Sequence, residues 1–401
     1  MTEAFVLEYL RTPRGKASSR GSLHHLSATD LVVALQRELV HRTGLDAALV
    51  EDVVLGIASQ TGEQGADLAR TASLLAGWPV SVPGVTVNRF CASGIDAVAL
   101  SAARVRAGDM ALVVAGGVES VSRVPIFSDG GSLWSDPEVV RRVGTVHMGI
   151  SADLIATVDG RTRDELDTYG VETQAKAAKA WADGRFARSV VAVPGADGSF
   201  VASDELVRPA TSMESLAALP SAFAATGASG DDAIVAAKHP GVGPITHLHT
   251  VGTSPQMADA AALLLIGDRA ASDRIGCRPR ARVVATVSTA VDPVLMLTAG
   301  QAAVEQVISR AGLRPADIDV FEFAEAFSAV CLRFREALDV GPDRMNPSGG
   351  TMAMGHAFGA TGAILVGQCV DELERAGGRF GVAAVSGAAG LGTAVLLERM
   401  R

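Results

Sequence analysis

The feature that most constrains this chain is an internal duplication. Gly44-Leu45-Asp46-Ala47-Ala48 runs into Glu51-Asp52-Val53-Val54-Leu55. At an offset of 268 residues, Gly312-Leu313-Arg314-Pro315-Ala316 runs into Asp317-Ile318-Asp319-Val320-Phe321. Ala92-Ser93-Gly94 pairs with Ala360-Thr361-Gly362 at the same offset of 268. Each triplet opens an apolar helical pattern that stops at a glycine, Gly108 or Gly377. Each pattern then leads into a strand and a Gly/Ala-rich bend, Ala111–Gly117 and Val382–Ala389. A repeat of this size means two similar units that bury apolar faces together. The runs Val53–Ile57, Val85–Val87 and Leu112–Ala115 are short and mostly apolar, as in strands covered on both faces. They predict a mainly parallel sheet flanked by helices in each unit.

The 401 residues therefore divide into an N-terminal half (1–125, its sheet completed in part by 250–264), an insert (126–264) and a C-terminal half (265–401). The insert holds seven prolines and one clear helix pattern, Arg163–Ala182, opened by Thr162. Long insertions of this kind usually carry function.

Composition removes several classes. The net charge of −9 and an aromatic content of 4% argue against a nucleic-acid binder. Only four of the 35 basic residues are Lys, so a phosphate on a ligand would be met by Arg or backbone N–H. Apolar runs such as Ala260–Ile266 are strand-sized, so no membrane span is expected. Four widely spaced cysteines (Cys91, Cys277, Cys331, Cys369) fit neither a disulfide framework nor a zinc site, and no metal is expected. With no basic leader in Met1–Arg11, a reducing, cytoplasmic setting is the expectation.

Four segments carry chemistry. Cys91, in Asn88-Arg89-Phe90-Cys91-Ala92-Ser93-Gly94, sits between a strand end and a helix start, where the helix terminus favours a thiolate. It reads either as a nucleophile or as a buried structural thiol. His356, in Gly355-His356-Ala357-Phe358-Gly359, precedes the second-half helix at the place that repeats Cys91, so the two can share one crevice as base and nucleophile. It reads alternatively as a structural hydrogen-bonder. Glu322 and Glu325 follow a strand and read as general acid/base or, better, as a helix cap. The bend Ser386-Gly387-Ala388-Ala389-Gly390 offers backbone N–H groups of the oxyanion-hole kind, or is merely a turn.

Together these segments resemble the thiolase family, over nearly the whole chain. The likeness includes Arg11-Thr12-Pro13-Arg14-Gly15-Lys16, the Cys91 segment, Ala115-Gly116-Gly117-Val118-Glu119-Ser120, His147-Met148-Gly149 and Gly355-His356. It looks closest to actinobacterial thiolases of fatty-acid β-oxidation. The resemblance implies a duplicated α/β fold in five layers, α-β-α-β-α, with an inserted loop domain that holds coenzyme A. It implies acyl-CoA as substrate, no tightly bound cofactor, and a homodimer or homotetramer, with a hydratase/dehydrogenase subunit as a further partner. By resemblance Cys91 is the nucleophile that takes the acyl group as a thioester, and His356 is its base and an oxyanion donor. Met148 lies near the acyl group, Phe327 lines the pantetheine pocket, and the Ala388 N–H lies at a second oxyanion hole.

The departures from the family pattern concentrate at this same site. Ala324 replaces the Asn of Asn-Glu-Ala-Phe, and Ser386 replaces the second cysteine, the usual acid/base. Ala388 stands for a glycine, Ala357 follows His356 in place of proline, and Pro255 stands where a ligand-contacting Ser is usual. Two expectations follow. One is an acyl-CoA acyltransferase working through Cys91 with thiolysis and Claisen condensation impaired. The other is a thiolase-like subunit that binds CoA or a partner without turnover.

Overall fold

The computed structural model describes residues 2–400. Nine strands carry the fold: β1 (Phe5–Arg11), β2 (Asp52–Gly56), β3 (Val85–Val87), β4 (Leu112–Glu119), β5 (Ala258–Gly267), β6 (Ala281–Ala290), β7 (Val320–Phe323), β8 (Phe380–Ser386) and β9 (Leu391–Arg399). Their order is β3-β2-β4-β5-β1 in the first half and β6-β9-β8-β7 in the second. The halves meet where β1 pairs with β6 at Phe5–Arg282 and Val6–Ala281. The duplication is therefore structural: β2 answers to β7 and β4 to β8 at the 268-residue offset read from the sequence.

The sheets are mixed, not mainly parallel. β2 runs parallel to β3 and β4, and β7 parallel to β8, but the remaining neighbours are antiparallel. The reason lies in the connections. β8 and β9 are joined by the short turn Gly387–Gly390, and a connection that short can only reverse the chain. The strand that completes the first half is Ala258–Gly267, so its last residues lie beyond position 264.

Seven helices define the layers: α1 (Ala28–Thr43), α2 (Ser93–Ala107), α3 (Met148–Val158), α4 (Arg163–Ala182), α5 (Ala299–Arg310), α6 (Ser328–Leu338) and α7 (Phe358–Ala376). α2 and α7 form the middle layer between the two sheets, α1 covers the first sheet and α5 the second. This gives the five-layered α-β-α-β-α arrangement. The insert contributes α3 and α4, which pack on α6. The Thr162 hydroxyl accepts from Glu165 N–H and the Glu165 carboxylate from Thr162 N–H, a reciprocal cap that fixes the start of α4.

The repeat glycines sit where the middle layer is tightest. A Cβ at Gly362 would lie 2.4 Å from Ile95 N, and one at Gly94 would lie 2.6 Å from Ala363 N. Backbone cannot yield as a flexible side chain can, so overpacking here is expensive. Gly362→Val is expected to destabilise the protein by ~1–3 kcal/mol or more, read as a lowered urea midpoint.

Candidate active site

Cys91 is held by a loop that leaves little freedom. The Asn88 side-chain oxygen accepts from Phe90 N–H at 2.8 Å, and the Ser93 hydroxyl accepts from Arg89 N–H at 2.8 Å and donates to Phe90 O at 2.6 Å. Phe90 takes a left-handed φ of 51°, rare for a bulky residue and characteristic of backbone strained to aim a neighbour. α2 then begins two residues after Cys91.

The thiol is 4% exposed. Burial pushes it up, and the nearby carboxylate of Glu119 pushes it further, to about 12. The sequence reading expected the helix start to favour the thiolate; burial outweighs that dipole, because only the charged form suffers from desolvation. Cys91 at rest is a thiol and needs a base at the moment of reaction.

Glu119 itself, at the end of β4, is fully buried. Its carboxylate accepts from Ala58 N–H (2.9 Å), Ser59 N–H (3.1 Å), Gln64 Nε2 (2.7 Å) and Gly359 N–H (2.9 Å). It thereby ties the start of α7 to the loop after β2. Reasoning from local sequence gave Glu119 no role of its own, since its partners lie as far as 240 positions away.

His356 lies on the turn into α7. Its N–H donates to Gln256 O at 2.7 Å, its carbonyl accepts from Ala258 N–H at 3.0 Å, and its Nδ1 lies 2.9 Å from Thr361 Oγ1. Burial, and after it the charge of Arg14, lowers the imidazole to about 4. The ring is therefore neutral at pH 7. In the tautomer whose Nδ1–H donates to Thr361 Oγ1, the other ring nitrogen keeps a lone pair to accept a proton.

Ser386 ends β8. Its hydroxyl donates to Leu297 O at 2.7 Å and accepts from Gly300 N–H at 2.9 Å. The proton is thus committed to a carbonyl, and the side chain fastens β8 to the start of α5. Ala324, in the turn after β7, offers only a methyl group.

Cys91, His356, Ser386, Ala324, Met148 and Phe327 line one cleft of about 600 Å³. One wall is aromatic. Phe223 meets Phe327 edge-on with centroids 5.7 Å apart, and His147 lies 5.3 Å from Phe223. Gly149 makes room for this, since a Cβ there would lie 2.4 Å from the Phe223 ring. Pro255 also lines the cleft, with the cationic side chains of Lys16 and Arg208.

Not every expected residue joins them. Ala388 is not among the residues that line this cleft, although Ser386 two positions before it is; its turn is closed by Gly387 N–H on Leu391 O at 2.6 Å and bent by Ala389 in the left-handed region at φ 57°. Glu322 and Glu325 are buried away from the cleft. Glu325 accepts from Tyr169 OH (2.8 Å), Thr173 Oγ1 (2.9 Å), Asn346 Nδ2 (3.1 Å) and Met352 N–H (3.1 Å), so it caps and braces, as the blander reading had it. Cys331 and Cys369 are buried inside α6 and α7, and Cys277 also lies off the cleft.

Comparison with known proteins decides the family. The model of the thiolase N-terminal domain matches residues 4–233 and that of the thiolase C-terminal domain matches residues 277–399. The chain belongs to the thiolase family. The 3-oxoadipyl-CoA/3-oxo-5,6-dehydrosuberyl-CoA thiolase of Escherichia coli strain K12 is 35% identical over 423 residues, with all of both chains covered. The 3-ketoacyl-CoA thiolases of Klebsiella pneumoniae and Colwellia psychrerythraea are each 32% identical, again over the whole of both chains. As a thiolase, the chain falls among the acyltransferases.

Proposed function

We propose that this thiolase accepts acyl groups from acyl-CoA as a thioester on Cys91, with His356 as its one base, and that ordinary thiolysis and Claisen condensation are impaired. The observation that carries this is the pairing of a buried thiol and a neutral imidazole in one cleft, while the Ser386 proton is committed to Leu297 O.

The first half-reaction needs only those two groups. His356 takes the Cys91 proton as Sγ attacks the thioester carbonyl. The C–S bond to CoA then breaks, and the departing CoA sulfur takes that proton back. The acyl-enzyme then passes to a nucleophile bearing a removable proton, whether water, an amine, an alcohol or a thiol, with His356 again accepting the proton. Making or breaking a carbon–carbon bond needs a second acid/base at the α-carbon. Ser386 is a poor one, because its O–H is both weakly acidic and already donated. Loss of a placed acid/base costs about 10²–10⁴ in rate, and loss of an oxyanion donor about 10²–10³.

In this reading the insert, 126–264, holds the CoA moiety, with Met148 near the acyl carbon and Phe327 against the pantetheine. Edge strand β3 has an unpaired side. With Val85 at 41% and Leu100 at 47% exposure, it supports self-association as a homodimer or homotetramer. We place the protein in the cytoplasm; among the described residues no helix is long and apolar enough to cross a membrane. The competing reading is a CoA-binding subunit without turnover, favoured by the tied hydroxyl of Ser386 and the methyl of Ala324.

Intact-protein mass spectrometry after incubation with acetyl-CoA and longer acyl-CoAs separates the two. A gain of one acyl group, lost in Cys91→Ala, is the expected result. CoA binding with no adduct from any acyl-CoA would decide for the subunit without turnover.

A further inference from the structure

The peptide that carries His356 is gripped at both ends. Its N–H donates to Gln256 O at 2.7 Å, and its carbonyl, that of Gly355, accepts from Arg14 Nη1 at 3.4 Å. Gly355 turns that carbonyl by adopting a φ of 107°, and a Cβ there would also lie 2.7 Å from Ala258 Cβ. Only glycine meets both demands.

Arg14 is itself unusual. It follows β1, with its N–H donating to Asp204 Oδ1 at 2.9 Å and its carbonyl accepting from Glu205 N–H at 3.0 Å. The side chain is 1% exposed, and Nε and Nη2 are buried with no partner among the described residues. The neighbouring carboxylate is already taken: Arg11 closes its fork on both oxygens of Asp204, at 2.7 and 3.0 Å. Burial pushes the Glu322 carboxyl well above the ordinary carboxylate range, and the charge of Arg14 opposes that shift. A buried guanidinium is ordinarily paired with a carboxylate. One whose single side-chain hydrogen bond among the described residues goes to the peptide ahead of a cleft-lining histidine calls for an explanation beyond packing.

We propose that Arg14 is a positioning residue for His356, holding through Gly355 O the peptide that presents the imidazole to the cleft. The inference rests on the acyl-transfer reading, in which His356 must be uncharged to take the thiol proton. Burial is the first cause of its lowered value and Arg14 the second. The other titratable and charged groups around it are Cys91, Lys16, His147 and Arg208 on the cleft walls, and Glu119, which faces Cys91 and the start of α7.

Two substitutions separate the charge from the hydrogen bond. Arg14→Gln removes the charge and keeps an N–H donor; Arg14→Lys keeps the charge and loses the fork. Arg14→Met, which fills the space without idle donors, supplies the uncharged arm if Arg14→Gln fails to fold. The probe is the rate of Cys91 alkylation by iodoacetamide across about pH 4 to 8, with the His356 ring followed by ¹⁵N NMR over the same range.

In the wild type the acid limb should lie near 4. In Arg14→Gln it should rise part of the way toward the ordinary histidine value of about 6.5, burial still acting, so that at about pH 5 the variant reacts about twofold below its own plateau while the wild type stays close to its own. Arg14→Lys should restore the limb with a lower plateau. A limb that stays in place in the uncharged variants, with or without a loss of plateau rate, would overturn the proposal. Iodoacetamide needs no acyl-CoA, so failure of the wild type to form an acyl adduct would strike the functional reading and leave this test standing.

Discussion

Ser386→Cys combined with Ala324→Asn is expected to raise acetoacetyl-CoA thiolysis by about 10²–10⁴ over the wild type. The Ser386 hydroxyl bridges Leu297 O and Gly300 N–H, a task a thiol performs poorly, so a cysteine at 386 is released from that bracket toward the cleft it already lines. There it supplies a group acidic enough to exchange protons with an incoming thiol. The Ala324→Asn change would add a polar group where a buried methyl now faces the cleft. The two changes act on one transition state, so their effects should not simply add. Losing the bracket between β8 and α5 should cost roughly 1–2 kcal/mol of stability, read as a lower midpoint in the variant that has gained activity. A double variant no faster than the wild type would mean that these two positions do not account for any impairment.

His356→Ala is expected to slow acylation of Cys91 by about 10²–10⁴ near neutral pH, followed as CoA released or as adduct by mass. With the thiol at about 12, only about one chain in 10⁵ carries a thiolate at pH 7. The thiol is thus almost wholly protonated at rest, and its proton has to leave as the bond to the acyl carbon forms. The pH profile should change shape as well. The wild type should be flat above about pH 5, because an imidazole titrating near 4 is already neutral there. The variant should climb with pH through the alkaline range as hydroxide takes over ionisation of the thiol. Retention of wild-type rate and a flat profile in His356→Ala would remove the histidine from the account.

Much of this was legible in the sequence. The 268-residue offset found matching strands and the two middle-layer helices, because a duplicated unit repeats its local patterns. Cys91 and His356 were legible for the same reason, standing ahead of equivalent helices. Thr162 announced α4 through its cap. What escaped was carried by distant contacts. Strand direction in the sheets follows from connection geometry, not from strand composition. The raised thiol of Cys91 follows from enclosure by both halves, where a local view saw only a favourable helix start. The groups that bracket the Ser386 hydroxyl, Gly300 N–H and Leu297 O, lie 86 and 89 positions away. Glu119 and Arg14 act across 240 and 341 positions, and no window of sequence holds both ends of such a contact.

The central claim is that the chain keeps the acyl-accepting half of thiolase chemistry and has lost the carbon acid/base half. Rapid-quench measurement tests it most directly, following CoA release from excess acyl-CoA and, on the same preparation, thiolysis of acetoacetyl-CoA. The account predicts a burst of one CoA per chain that Cys91→Ala abolishes, followed by a slow phase, with thiolysis far below an ordinary enzyme turnover of about 10 s⁻¹. Thiolysis at that ordinary rate by the unmodified protein would contradict it.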